Sequence, residues 1–199
     1  DPVTYGNYKY ALSLLGILAV FSLDGIGAAI TQAVARGLEG SFYTGFKTKL
    51  KWGLLGSLVA IGTAIYYWHK GNNLLPIPLL IAAVLLPLMY ASQIYGSFLS
   101  GRKLFGVQTG YNIINQIVAA GATITALFFT KNLLWLIAVY FVSRTFLGYF
   151  FYFLTKIKFH PNGEEDAKTI NYAKHLSLMS VINYITLYLD KILLFNFAG

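Results

Sequence analysis

Of the 199 residues, 57% are apolar and only 11% are charged, against about 25% charge in an average soluble domain, and cysteine is absent. This balance excludes a water-soluble globule, a disordered chain and a disulfide scaffold, and it removes thiolate metal sites and thiol nucleophiles. The +8 charge, from 15 Lys and Arg against seven Asp and Glu, sits mostly in short segments between apolar runs. There it sets insertion topology, so nucleic acid is not an expected partner.

A helix needs about 20 mostly apolar residues to cross the hydrocarbon of a bilayer, and six stretches qualify. They are Tyr10 to Ala35, Trp52 to Trp68, Leu74 to Leu99, Val107 to Phe129, Leu133 to Thr155 and Leu176 to Phe197. Leu79 to Met89 and Leu133 to Val142 are apolar on every side, unlike the alternating strands of a transmembrane barrel. The fold class is thus an all-α membrane protein, a polytopic transmembrane helix bundle with six spans. Gly25 and Gly27 in the first span, and Pro76, Pro78 and Pro87 in the third, are residues that kink or unwind helices at membrane depth.

Most connections are short. The longer loop, Lys156 to Thr169, carries the turn signal Pro161-Asn162-Gly163 and marks a boundary. Residues 1–158 form a block of five helices, 159–172 the connecting loop, and 173–199 the first helix of another block. The chain starts Asp1-Pro2-Val3 with no initiator Met and stops straight after an apolar run, so it reads as a piece of a longer protein.

Alternate loops fall on opposite sides of the membrane. Loops 36–51, 100–106 and 156–174 carry ten Lys and Arg, whereas the other side carries Lys9, Lys70 and Lys131. By the positive-inside rule the first group is cytoplasmic and residue 1 lies outside.

Charges at bilayer depth cost about 2.5–3.5 kcal/mol each on insertion scales and usually face a bundle interior or water. Asp24, Arg144, Asp190 and Lys191 are such residues. They either neutralise one another as buried structural pairs or line a hydrated cavity. Asp24, Ala28, Gln32 and Arg36 recur at intervals of four on one helix face, as do Asn112 and Gln116 of the fourth span. Several helices that each turn a polar side inward describe a transport path. The stripe Gly53, Gly56, Ala60 is the pattern of close helix packing.

Catalytic signals are poor. His69, His160 and His175 lack metal-ligand spacing, no P-loop is present, and Glu164-Glu165-Asp166 has the character of a solvated acidic run. No catalytic residue, metal or cofactor is expected.

The segments Leu23-Asp24-Gly25, Ala29 to Gly37, Gly45 and Lys49 to Ser57 resemble bacterial oligosaccharide flippases of the O-antigen type. These form a branch of the multidrug/oligosaccharidyl-lipid/polysaccharide exporter superfamily. Pro2 to Tyr8, Gly101 to Gln108, His175-Leu176-Ser177 and Leu189 to Leu194 look like the same family. The resemblance implies a fragment of a two-lobe, 12-helix exporter fold around a central cavity. The six spans are then helices two to seven, the first helix of the N-terminal lobe is missing, and Lys156 to Thr169 joins the lobes. It also implies a multi-pass protein of the bacterial inner membrane that flips a polyprenyl-diphosphate-linked oligosaccharide to the outer leaflet. Membrane lipid and polysaccharide-assembly proteins would be its other partners. On that basis Arg36, Arg144 and Lys191 are candidate contacts for the diphosphate. Asp24 and Asp190 would hold those cations in place or titrate. A small-molecule antiporter of the same superfamily and a membrane-embedded polymerase or glycosyltransferase are the alternative readings.

Overall fold

A computed structural model describes residues 13–14, 16–71, 75–130, 133–181 and 186. The first predicted span is interrupted. A 3-10 turn, Ala19–Ser22, ends at Leu23 in the left-handed region (φ 52°), and helix α1, Ile26–Ala35, restarts beyond it. A bulky residue with positive φ is costly, and burial of the Leu23 side chain in the core opposes that cost. Gly25 follows because nothing larger fits. A Cβ there would lie 2.5 Å from the Ser177 nitrogen and 2.8 Å from the Ala173 carbonyl. Its own N–H donates to Ser177 Oγ at 2.9 Å.

The chain continues through α2 (Ser41–His69), α3 (Pro76–Ser92), α4 (Ile94–Gly101), α5 (Phe105–Phe129), α6 (Leu133–Phe159) and α7 (residues 169–181). No strand occurs among the described residues. Four segments are long and apolar enough to cross a membrane: α2, α3 with α4, α5, and α6. They correspond to the second to fifth predicted spans of an all-α membrane helix bundle. Most of the sixth predicted span, Leu176 to Phe197, lies outside the described residues.

One boundary needs correction. Residues 41–51, expected within loop 36–51, belong to α2. The charges there suggested a loop, but Lys47 and Lys51 sit on the exposed side of a helix while Lys49 turns inward and is buried. Likewise α6 runs on to Phe159, past the expected start of the last connecting loop.

The tightest joint pairs α2 with α3. Pro87 has no N–H to give, which leaves the Ala83 carbonyl without its helical donor. The Ser57 hydroxyl of α2 donates to that carbonyl. It comes close enough because Gly53 lies directly over Pro87, where a Cβ would meet the ring at 2.6 Å. The stripe Gly53, Gly56, Ala60 thus serves close packing, and Ala64 continues it.

Two apolar clusters fill the bundle. One gathers Ala60, Ala64, Leu79, Ala82, Leu86 and Phe141. The other is aromatic, with Phe42 and Phe46 stacked on Tyr152 at 4.8 and 4.6 Å and Tyr111 on Phe151 at 4.3 Å. Outward, α2, α5 and α6 present Leu58, Ile117, Phe146 and similar side chains, the surface a lipid solvent requires.

The connections after α1, α4 and α6, predicted to share one side, meet at one end of the bundle. Glu39 accepts two hydrogen bonds of 2.6 Å from Nε and Nη2 of Arg102. Arg36 pairs with Asp166, so Asp166 is more than a solvated acid. The Asn162 amide donates to the Gly37 carbonyl at 2.9 Å, and Gly40 N–H donates to the Glu164 carbonyl at 2.8 Å. The Arg102 guanidinium holds the Glu39 carboxyl below its ordinary value. Asp166 is also lowered, first by the Lys168 backbone N–H and then by Arg36.

A carboxyl whose pKa is depressed on folding contributes stability above its ordinary value and loses it as pH falls through the folded one. This clasp is therefore intact above about pH 4.5, the ordinary value of Glu39, and opens on further acidification. Because the chain is free of cysteine, a nitroxide on Glu165→Cys reports on it cleanly. The label should be immobile at neutral pH and mobile in acid. Equal mobility at both would mean that the ion pairs do not hold the loop.

Candidate functional site

The break at Leu23–Gly25 places Asp24 beyond the end of the 3-10 turn, exposed at the mouth of a cleft of about 370 Å³. Gly27 of α1 and Lys49 of α2 line the cleft beside it. A second wall comes from the turn between α3 and α4, with Gln93, and from Tyr95, Gly96 and Ser97 of α4. Helix α5 supplies Gln108, Asn112, Asn115 and Gln116, and α6 supplies Arg144. Only the two glycines lack a polar side chain, among spans that are otherwise apolar.

The polar groups are held by one another. Thr31 clips α1 to α4 by donating to the Ser97 carbonyl at 3.1 Å. The Tyr95 hydroxyl donates to Asn112 Oδ1 at 3.3 Å, and Ser100 donates to Gln108 Oε1 at 2.7 Å. Arg144 Nη1 donates to the Tyr140 hydroxyl at 2.7 Å, with the guanidinium 5.5 Å from the centre of the same ring. Lys49 is buried, with its ammonium 5.9 Å from the Tyr90 ring and within electrostatic reach of Asp24.

Among the described residues neither Asp24 nor Arg144 makes an ion pair. Asp24 and Arg144 therefore do not cancel one another as a sealed pair, and Asp190 and Lys191, the other two charges of that reading, lie outside the described residues. Both line the cleft.

Four of the eight residues singled out from the sequence line this cleft: Asp24, Asn112, Gln116 and Arg144. Two do not, which corrects their expected grouping. Gln32 is exposed on α1 and is not among the residues that line the cleft. Arg36 is beyond the end of α1, where the clasp with Asp166 holds it. Asp190 and Lys191 lie outside the described residues.

The cleft also uses residues that the sequence reading passed over. Lys49 was counted with the loop cations, and its helical phase relative to Lys47 and Lys51 was the available signal. Asn115 lies three residues from Asn112, on the same face as the chosen i, i+4 stripe. Gln108 extends the period of Asn112 and Gln116 by one step of four, whereas Gln93, Tyr95 and Ser97 gave no comparable pattern. No group of three or more His, Cys, Asp or Glu able to hold a metal occurs among the described residues.

The cleft brings an Arg and a Lys together with one exposed carboxylate, amides and hydroxyls. It can pair with an anion and hydrogen-bond a polyol, and it sits at the depth of the membrane-spanning helices. The chain matches the family described as polysaccharide biosynthesis protein over residues 1–199. No curated protein and no solved structure matches it.

Proposed function

This chain belongs to the polysaccharide biosynthesis protein family, and from that premise we propose that it exports a polyprenyl-diphosphate-linked oligosaccharide, carrying it from the cytoplasmic to the outer leaflet by alternating access. The membrane is the bacterial inner membrane, and the protein acts as a carrier rather than an enzyme. One observation carries the reading. A cleft with ten polar lining residues lies among helices whose outer faces are apolar. A charged glycan head needs such a path, since its hydroxyls and phosphates cannot enter hydrocarbon uncompensated.

Arg144 is the cation we assign to the diphosphate, with Lys49 beside it. Asp24 orients Lys49. Asp190 and Lys191 are proposed to belong to the same chamber. The end that carries Arg36, Arg102, Lys103, Lys156 and Lys158 faces the cytoplasm, in keeping with the positive-inside rule.

The test is a substrate swap in proteoliposomes that contain the full-length protein. Lipid-linked oligosaccharide labelled on its glycan should become accessible to an external glycosidase only in protein-containing vesicles, while cationic dyes are not moved. Dye transport with immobile glycolipid would assign the chain to small-molecule antiport. Elongation of the glycan would make it a polymerase.

A further inference from the structure

Resting on the export reading above, we propose that the amide wall of α5 is a glycan subsite: Gln108, Asn112, Asn115 and Gln116 read sugar hydroxyls, while the diphosphate is left to the cations. The argument is one of donors and acceptors. An ionised phosphate only accepts hydrogen bonds, whereas a hydroxyl both donates and accepts, as an amide does.

On this wall the two kinds of group are interleaved. Asn112 and Gln108 have their carbonyl oxygens engaged by Tyr95 and Ser100, which leaves their NH₂ groups as donors. Asn115 is 3% exposed and its Oδ1 is unpartnered among the described residues, an acceptor that a hydroxyl can satisfy and a phosphate cannot. Across the cleft Asp24 presents a carboxylate, which repels phosphate and accepts from sugar hydroxyls.

The geometry suits a chain of sugars. Gln108, Asn112 and Gln116 follow at intervals of four, about 6 Å apart along the helix axis, a step comparable to one pyranose ring. Helix α5 buries only Asn115 and Ala119, so its amide face is not consumed by packing.

The test uses the full-length chain in lipid nanodiscs and two probes. One is the free repeat-unit glycan released by mild acid from the host's own lipid carrier, and the other is polyprenyl diphosphate that bears no sugar. Asn112 and Gln116 are exposed, so the double variant N112A/Q116A leaves the packing intact. It should lower affinity for the free glycan about tenfold or more and keep polyprenyl diphosphate within about twofold. Asn112→Leu, of similar size but without hydrogen-bonding groups or charge, should show the same selective loss. If either variant keeps the glycan, or loses both probes alike, the subsite is overturned while export stands. If the unmodified chain binds neither probe, the export reading itself fails.

Discussion

Replacing Arg144 by Ala in the full-length chain should cut surface polysaccharide by about tenfold to a hundredfold while the amount of protein in the membrane stays normal. The size follows from the about 1.5–3 kcal/mol that a hydrogen bond to a charged group contributes, at about 1.4 kcal/mol per tenfold. The separation from folding follows from its surroundings. Removing one member of a buried ion pair strands the other and destabilises the fold. Among the described residues Arg144 meets the hydroxyl and ring of Tyr140 and no carboxylate, so its loss strands no charge among them. Lys at this position keeps the charge but not the planar fork, and should restore export only in part. Export at the normal rate in Arg144→Ala, measured as surface glycan per unit of membrane protein, would remove the cleft from the transport path.

The second large effect concerns assembly. Gly53→Ala should destabilise the α2–α3 joint by about 1–3 kcal/mol, the usual cost of an overpacked contact, whereas Gly62→Ala, nine residues on in the same helix, should be neutral or slightly stabilising. A Cβ at Gly53 would meet Pro87 Cβ at 2.6 Å and Pro87 Cα at 2.8 Å, and neither atom can rotate away. At Gly62 nothing lies within 4 Å. The measurement is the midpoint of thermal loss of the monodisperse peak in detergent. It should fall for the first variant and hold for the second. Equal behaviour of the two would mean that α2 does not rest on the Pro87 bend.

Much of this was legible in the residues because hydrocarbon demands so much of a sequence. Long apolar runs have one solution, the helix, and the four segments able to span lie within a few residues of expectation except where α2 extends backward. Loop parity was also readable, since short connections between spans must alternate. The ties Arg36–Asp166 and Arg102–Glu39 join the three loops placed on one side.

The cleft was half legible. A charge such as Asp24 or Arg144 is conspicuous in an apolar run, and an amide stripe can be found by phase. Lys49 was hidden by its charged neighbours, because a run of lysines looks the same whether it is a loop or the end of a helix. Arg36 carried the stripe's period into the loop, where Asp166, 130 residues later in sequence, claims it. Partnerships at that separation depend on the tertiary arrangement and leave no local trace. The break in the first span was signalled by Gly25 and Gly27, but the left-handed turn at Leu23 depends on contacts made by the surrounding fold.

Proline in a membrane helix is commonly regarded as a joint that flexes. Here the notch it cuts is filled, since Ser57 occupies the vacant carbonyl of Ala83 and Gly53 lets α2 lie flush against Pro87. Helices α2 and α3 therefore behave as one stiff strut, mortised at Pro87. Any swing within this part of the protein falls to the places where the helical ladder is interrupted, at Leu23–Gly25 and at Gln93, and both stand at the rim of the cleft.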